Sequence, residues 1–127
     1  MPRRVLIFDD DEDTLAICSH VLASFGWEVH TRSDCDNIFN ALETVKPSVI
    51  FMDNGIRNQS GVAATQMIKS HSNYKNIPVI LFSANSEIKD LANKAGADTY
   101  LEKPFNIRDL ERVINLVSAI QMTSKTP

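Results

Sequence analysis

The sequence predicts a doubly wound α/β fold, a five-stranded parallel sheet with helices on both faces, and three observations predict it. The first is Val49-Ile50-Phe51-Met52, an unbroken apolar run rich in β-formers that reads as a strand buried on both faces. Such a strand needs helices above and below it, which is the arrangement of a parallel sheet. The second is that the same punctuation recurs. Val5–Phe8 runs into Asp9-Asp10-Asp11, Val49–Met52 into Asp53, Val79–Phe82 into Ser83-Ala84, and Thr99–Glu102 into Lys103-Pro104. The third is that stretches of helical periodicity alternate with these runs, giving five βα units without a repeat or linker. At 127 residues the chain fits one domain with a proper core.

The first strand, Val5–Phe8, is followed by acids whose later members, Glu12 and Asp13, suit the first turn of a helix. That helix places Leu15, Cys18, Leu22 and Phe25 on one stripe and stops at Gly26. Trp27–Arg32 is the second strand. Ser33 or Asp34 is the expected cap of a second helix with Ile38, Ala41, Leu42 and Val45 inward, ended before Pro47. The third strand ends on Asp53, and Asn54, Gly55, Asn58, Ser60 and Gly61 turn the chain at once. Ser60 precedes a third helix over about residues 61–71, with Val62, Met67 and Ile68 as expected contacts, and Asn73–Pro78 connects it onward. After the fourth strand, Ser86 is the expected cap of a helix carrying Ile88, Leu91, Ala92 and Ala95, closed by Gly96. The last strand, Asp98–Leu101, leads to a fifth helix with Ile107, Leu110, Val113, Ile114 and Val117 on one side. The domain is expected over residues 1–121, with 122–127 a frayed tail.

Composition narrows the function. Hydrophobic content of 43% and charge of 23% are ordinary for a soluble domain, and the net charge of −3 leaves no nucleic-acid footprint. No segment is long and apolar enough for a signal-peptide core or a membrane span, and Met1 reads as a natural start. Cys18 and Cys35 lack metal-ligand spacing, and Cys18 reads as a reduced core residue. A cytoplasmic setting is expected. His20, His30 and His71 fit no ligand motif and read as surface residues.

The strand ends carry the chemistry. Ligand sites of parallel sheets gather beyond the carboxyl ends of the strands, and Asp53 would stand there. By itself it could also be a solvated carboxylate that stops a strand. If the strands are adjacent, however, Asp9, Asp10, Asp53, Ser83 and Lys103 converge on one edge. Crowded like charges raise each other's pKa and are better tolerated around a cation, so metal binding is the reading of the Asp9/Asp10 pair.

The ordered set of an acidic pair after strand one, an acceptor Asp with Gly eight residues later, Ser-Ala after strand four and Lys-Pro-Phe after strand five resembles the receiver domain of two-component response regulators, over about residues 4–120. The resemblance implies the flavodoxin-like strand order 2-1-3-4-5. It implies that Asp53 accepts a phosphoryl group from a sensor histidine kinase or a histidine phosphotransfer protein, in a Mg²⁺-dependent reaction. Asp10 and Asp53 would hold Mg²⁺ directly, with the Gly55 carbonyl as another ligand and Asp9 acting mostly through water. Ser83 would donate a hydrogen bond to the phosphoryl group and Lys103 would ion-pair with it, across a candidate cis bond to Pro104. Ser83 and Tyr100 would form a switch, Tyr100 swinging inward, that alters a protein-binding face of the fourth helix, last strand and fifth helix, roughly Ser86–Val117. The alternative, less favoured, is that Tyr100 is a plain half-buried strand residue. Such a protein is a phosphoacceptor that assists its own phosphorylation and dephosphorylation, not an enzyme acting on other substrates, with no direct contact to nucleic acid or membrane.

The chain departs from the family pattern at Arg57, where Pro is common, at Ser60, where Asp is frequent, and at Gly55, which has no side chain beside the metal. Arg57 loosens the loop and puts a long cation within reach of the phosphoryl group, unless solvent holds it. Two alternatives differ in kind. One is a pseudo-receiver that binds partners without phosphorylation. The other is a haloacid-dehalogenase-type phosphatase, whose Asp-x-Asp-x-Thr/Val motif meets Asp13 at its last position, in a chain too short for a cap domain.

Overall fold

The computed structural model describes the backbone of residues 3–57 and 59–124 and the side chains through residue 119. In chain order the strands are β1 (Arg4–Phe8), β2 (Glu28–Arg32), β3 (Val49–Asp53), β4 (Gly55–Ile56), β5 (Gln59–Ser60), β6 (Val79–Ser83) and β7 (Thr99–Glu102). The helices are α1 (Glu12–Ser24), α2 (Ile38–Val45), α3 (Gly61–Ser70), α4 (Ile88–Ala95) and α5 (Ile107–Ser124). Five strands pair in parallel in the order β2-β1-β3-β6-β7, which is 2-1-3-4-5 once the small β4–β5 ladder is set aside.

Alternation along each strand divides the core between two faces. Leu6, Phe8, Ile50, Met52, Val79 and Leu81 point to the side covered by α2, α3 and α4. Val5, Ile7, Val49, Phe51, Ile80, Phe82 and Leu101 point to the side covered by α1 and α5, where Phe51 and Phe82 meet edge to face at 5.9 Å. Burial on both faces accounts for the continuous apolar runs of the three central strands.

The ladder hydrogen bonds continue past the strand ends and fix the site. Asp9 N–H donates to the Arg32 carbonyl at 3.1 Å, Asn54 N–H to Phe82 at 3.1 Å, and Lys103 N–H to Ser83 at 2.8 Å. Phe8 pairs with Met52, Asp53 with Phe82 and Ser83 with Glu102, so the ends of β1, β3, β6 and β7 lie stepwise along one edge of the sheet.

Several helix ends and faces differ from expectation. Ser60 precedes α3 as read and also caps it, its hydroxyl accepting from Ala63 N–H at 3.0 Å. Neither Ser33 nor Asp34 caps α2, which starts after Asn37, because the intervening segment is pinned elsewhere: Asp34 accepts from Asp36 N–H and Cys35 N–H donates to Gln59. Ser86 does not cap α4, since Asn85 takes the Glu87 N–H at 2.8 Å and the helix starts at Ile88. Met67 and Ile107, read as core contacts, are 50% and 60% exposed. Helical periodicity admits a stripe wider than the surface that the sheet offers. The tail read at 122–127 is helical as far as Ser124, and residues 125–127, like Asn58 of the loop, lie outside the described residues.

Candidate functional site

The ends of β1, β3 and β7 deliver the parts of a polar cluster. Asp9, 1% exposed, follows β1, and Asp53, largely buried, closes β3. Lys103 follows β7, and its ammonium donates to Asp9 Oδ2 at 2.8 Å and to Asp53 Oδ1 at 3.0 Å. The same ammonium lies 4.6 Å from the centre of the Phe82 ring, which forms an apolar and polarisable wall beside it. The Lys103–Pro104 peptide is cis. Asp10 is exposed and its Oδ2 accepts the Arg57 N–H at 2.9 Å.

The electrostatics follow from burial opposed by pairing. Burial pushes Asp53 above the usual carboxylate range, while the Lys103 bond and charge and the Gly55 N–H pull it back and Asp9 pushes it further up. Burial by itself would lower Lys103, but hydrogen bonds to Asp9 and Asp53 and their charges carry it above the usual lysine value. The ammonium is thus held charged between the two acids.

One carboxylate oxygen from each of Asp9, Asp10 and Asp53 lies within 4.8 Å of the others. Three carboxylates against the Lys103 ammonium leave a formal charge of −2. An all-oxygen donor set that is open to water on the Asp10 side fits a hard divalent cation of the size of Mg²⁺. Gly55 sits at the same edge, exposed, two residues beyond Asp53.

Ser83 ends β6 at this edge, half-buried, and its hydroxyl accepts from Asn85 N–H at 3.1 Å. It faces the turn before α4. Tyr100 is 39% exposed on the edge strand β7, an outward position. The Arg57 guanidinium does not extend over the carboxylates: Nε donates to the Ser33 carbonyl at 2.8 Å. The histidines lie apart from the cluster. His20 is exposed, His30 meets Glu28 at 2.6 Å, and His71 packs on Phe39 and Tyr74.

Sequence reasoning missed the partners that hold the loop. Gln59 donates to Asp36 Oδ1 at 2.9 Å and accepts from Cys35 N–H at 2.8 Å, so β5 is tied to the segment before α2. A two-residue ladder has no periodicity to read, and nothing in the sequence marks Gln59. Phe82 was legible as a strand residue, though not as the wall beside Lys103.

Comparison with known proteins agrees with this geometry. Residues 5–115 match the family described as the response regulator receiver domain. The transcriptional regulatory protein PrrA of Mycobacterium leprae is 37% identical over 84% of the chain, which spans 46% of that relative. The phosphate regulon transcriptional regulatory protein PhoB of Escherichia coli is 29% identical over 92% of the chain, which spans 52% of it. The chain thus spans about half the length of these curated relatives. The solved chemotaxis response regulator CheY4 of Vibrio cholerae superposes with a TM-score of 0.84 at 26% identity, covering 92% of this chain and 99% of that one.

Proposed function

Because this chain belongs to the response regulator receiver domain family, matched over residues 5–115, we propose that Asp53 is its phosphoacceptor in a Mg²⁺-dependent transfer. The observation that carries the reading is the Lys103 ammonium held between Asp9 and Asp53, beside a third carboxylate, at the open edge of the sheet. A phosphoryl group arriving at Asp53 meets a cation already in place, which needs only to shift from Asp53 to the incoming oxygens.

Asp53 is the nucleophile. One of its oxygens attacks the phosphorus of a donor phosphohistidine. The P–O bond forms as the P–N bond breaks, and the departing imidazole takes up a proton from water. Alignment and neutralisation of the equatorial oxygens supply most of the rate in such transfers. Lys103 balances one of those charges by leaving Asp53 for the incoming oxygens while keeping Asp9. Ser83 turns its hydroxyl proton to a phosphoryl oxygen. Asp10, Asp53 and the Gly55 carbonyl would hold Mg²⁺. Both Asp9 oxygens already have partners, Lys103 and the Asp11 N–H, which supports a lesser, water-mediated part for it. Bound there, Mg²⁺ would supply charge neutralisation for the transferring group.

The donor is a sensor histidine kinase or a histidine phosphotransfer protein. The exposed Ile17 and Ile107 flank a recess beside Val21 and Phe105, apolar surface that supports a protein donor at this edge. Output runs through Ser83 and the outward Tyr100 to the face made by α4, β7 and α5, where a downstream protein binds. The chain is a phosphoacceptor that assists its own labelling and hydrolysis and has no separate substrate. The free thiols Cys18 and Cys35 suit a cytoplasmic setting. Among the described residues, no helix is long and apolar enough to cross a membrane.

The test is incubation with a small-molecule acyl phosphate, with Mg²⁺ or with chelator. The proposal expects stoichiometric Mg²⁺-dependent labelling that Asp53→Asn abolishes. Turnover of phosphate monoesters would indicate the phosphatase, and no labelling with Mg²⁺ present would indicate a phosphorylation-independent module.

A further inference from the structure

Arg57 is a charged residue of this edge that phosphoryl transfer leaves without a task. Its φ of 44° is a left-handed conformation that non-glycine residues seldom adopt. That conformation aims its N–H at Asp10 Oδ2, 2.9 Å away. Its side chain runs the other way, Nε donating to the Ser33 carbonyl at 2.8 Å on the segment between β2 and α2. The residue is therefore anchored at both ends, and the unfavourable backbone is kept because two contacts and the β4–β5 ladder determine it together. Asp10 is exposed, and an exposed carboxylate is otherwise free to change rotamer.

We propose that Arg57 is a positioning residue for the cation site: its hold on Ser33 keeps its own N–H on Asp10 Oδ2 and leaves Asp10 Oδ1 for the metal. The inference rests on the reading of Asp9, Asp10 and Asp53 as a Mg²⁺ site. It assigns the side chain to the metal ligand and not to the phosphoryl group, although a long cation in that loop is otherwise a candidate for the latter. Hydrogen bonds that orient metal ligands commonly matter ten- to a hundredfold in affinity; here the N–H itself survives truncation of the side chain, so a smaller effect of about threefold to tenfold follows.

The experiment is calorimetric Mg²⁺ titration without any phosphodonor. Arg57→Ala removes the grip on Ser33 but keeps the N–H, and affinity should fall by about threefold to tenfold. Arg57→Lys keeps a donor for Ser33 and should recover most of that loss. Gln59→Ala cuts the neighbouring tether without touching the partner of Asp10, and should change affinity less than about twofold. The amide proton of residue 57 should lose its hydrogen-bonded shift in Arg57→Ala alone. Should that variant fail to fold, Arg57→Gly, which suits the left-handed turn, carries the same expectation. Parent-like affinity in Arg57→Ala overturns the proposal, and so do equal losses in Arg57→Ala and Gln59→Ala. A parent that binds no Mg²⁺ overturns both the cation site and this inference. A parent that binds Mg²⁺ yet takes no label on Asp53 overturns the phosphoacceptor alone.

Discussion

Gly61 stands where α3 meets the loop after Asp53, and the structure leaves it no room for a side chain. A Cβ placed there would lie 2.7 Å from Asn54 Cα and 2.9 Å from the Asp53 carbonyl carbon, and nearer still to the Asp53 carbonyl oxygen. Ordinary van der Waals contact begins at 3.4 Å, and every obstructing atom is backbone, so no rotamer change relieves the clash. The Gly61 N–H also donates to the Asn54 carbonyl at 2.7 Å, which clamps the two segments together. Gly61→Ala must therefore push α3 away from the end of β3. Overpacking of this kind costs about 1–3 kcal/mol, partly offset by the lower chain entropy of unfolded Ala, about 0.4–1 kcal/mol. For a domain of this size a net loss of about 1–2 kcal/mol lowers Tm by roughly 4–10 °C. Trp27, buried and the sole tryptophan, reports the unfolding transition by fluorescence. Because the shift acts on the Asp53 backbone, labelling should also slow by about tenfold or more. A variant with parent-like Tm and parent-like labelling would refute the reasoning.

Other perturbations have equally definite outcomes. Thr65 is fully buried and its hydroxyl has no hydrogen-bond partner among the described residues, so Thr65→Val should stabilise the fold by about 1 kcal/mol in urea titration. Lys69 pairs with Asp98 at 2.6 Å and donates to the Ile77 carbonyl at 2.8 Å, with both side chains mostly buried; Lys69→Met should cost about 2–3 kcal/mol by the same measurement. Burial pushes the Cys18 and Cys35 thiols up to about 11, with nearby carboxylates adding to the shift. Both stay protonated at pH 8, so a thiol reagent should react slowly with the folded protein and fast in denaturant. The sign for stability is also fixed. Unfolded thiols lose their protons from about pH 9 while folded ones keep theirs, so stability is lost as pH rises from 9 towards 11, and Cys18→Ala with Cys35→Ala should flatten that decline.

The parts of the fold that were legible are those where burial acts on consecutive residues. Val49–Met52 and Val79–Phe82 are apolar without interruption because helices cover both sides, and that pattern, alternating with helical stretches, identifies the parallel sheet. The site was legible because a polar residue that ends such a run has one place to go. Asp9, Asp53, Ser83 and Lys103 all lie at that edge, with Asp10 beside them. Details set by competition between nearby partners were not legible. Ser33, Asp34 and Ser86 have the chemistry of helix caps, but Gln59, Asp36 and Asn85 settle how those turns are bonded, through contacts that sequence spacing does not encode. Arg57 illustrates the same limit. Its charge left open either the phosphoryl group or solvent, whereas a left-handed turn sends the side chain to Ser33 and the N–H to Asp10.

The central claim is that Asp53, and no other group at this edge, forms the acyl phosphate. Borohydride cleaves an acyl phosphate reductively and leaves homoserine in place of the aspartate, a change that peptide mass spectrometry locates to one residue. After labelling with Mg²⁺ and reduction, the account predicts homoserine at position 53 and unchanged Asp9, Asp10 and Asp11. Homoserine at one of those three positions, or acid-labile label on His20, His30 or His71 with Asp53 intact, would contradict it.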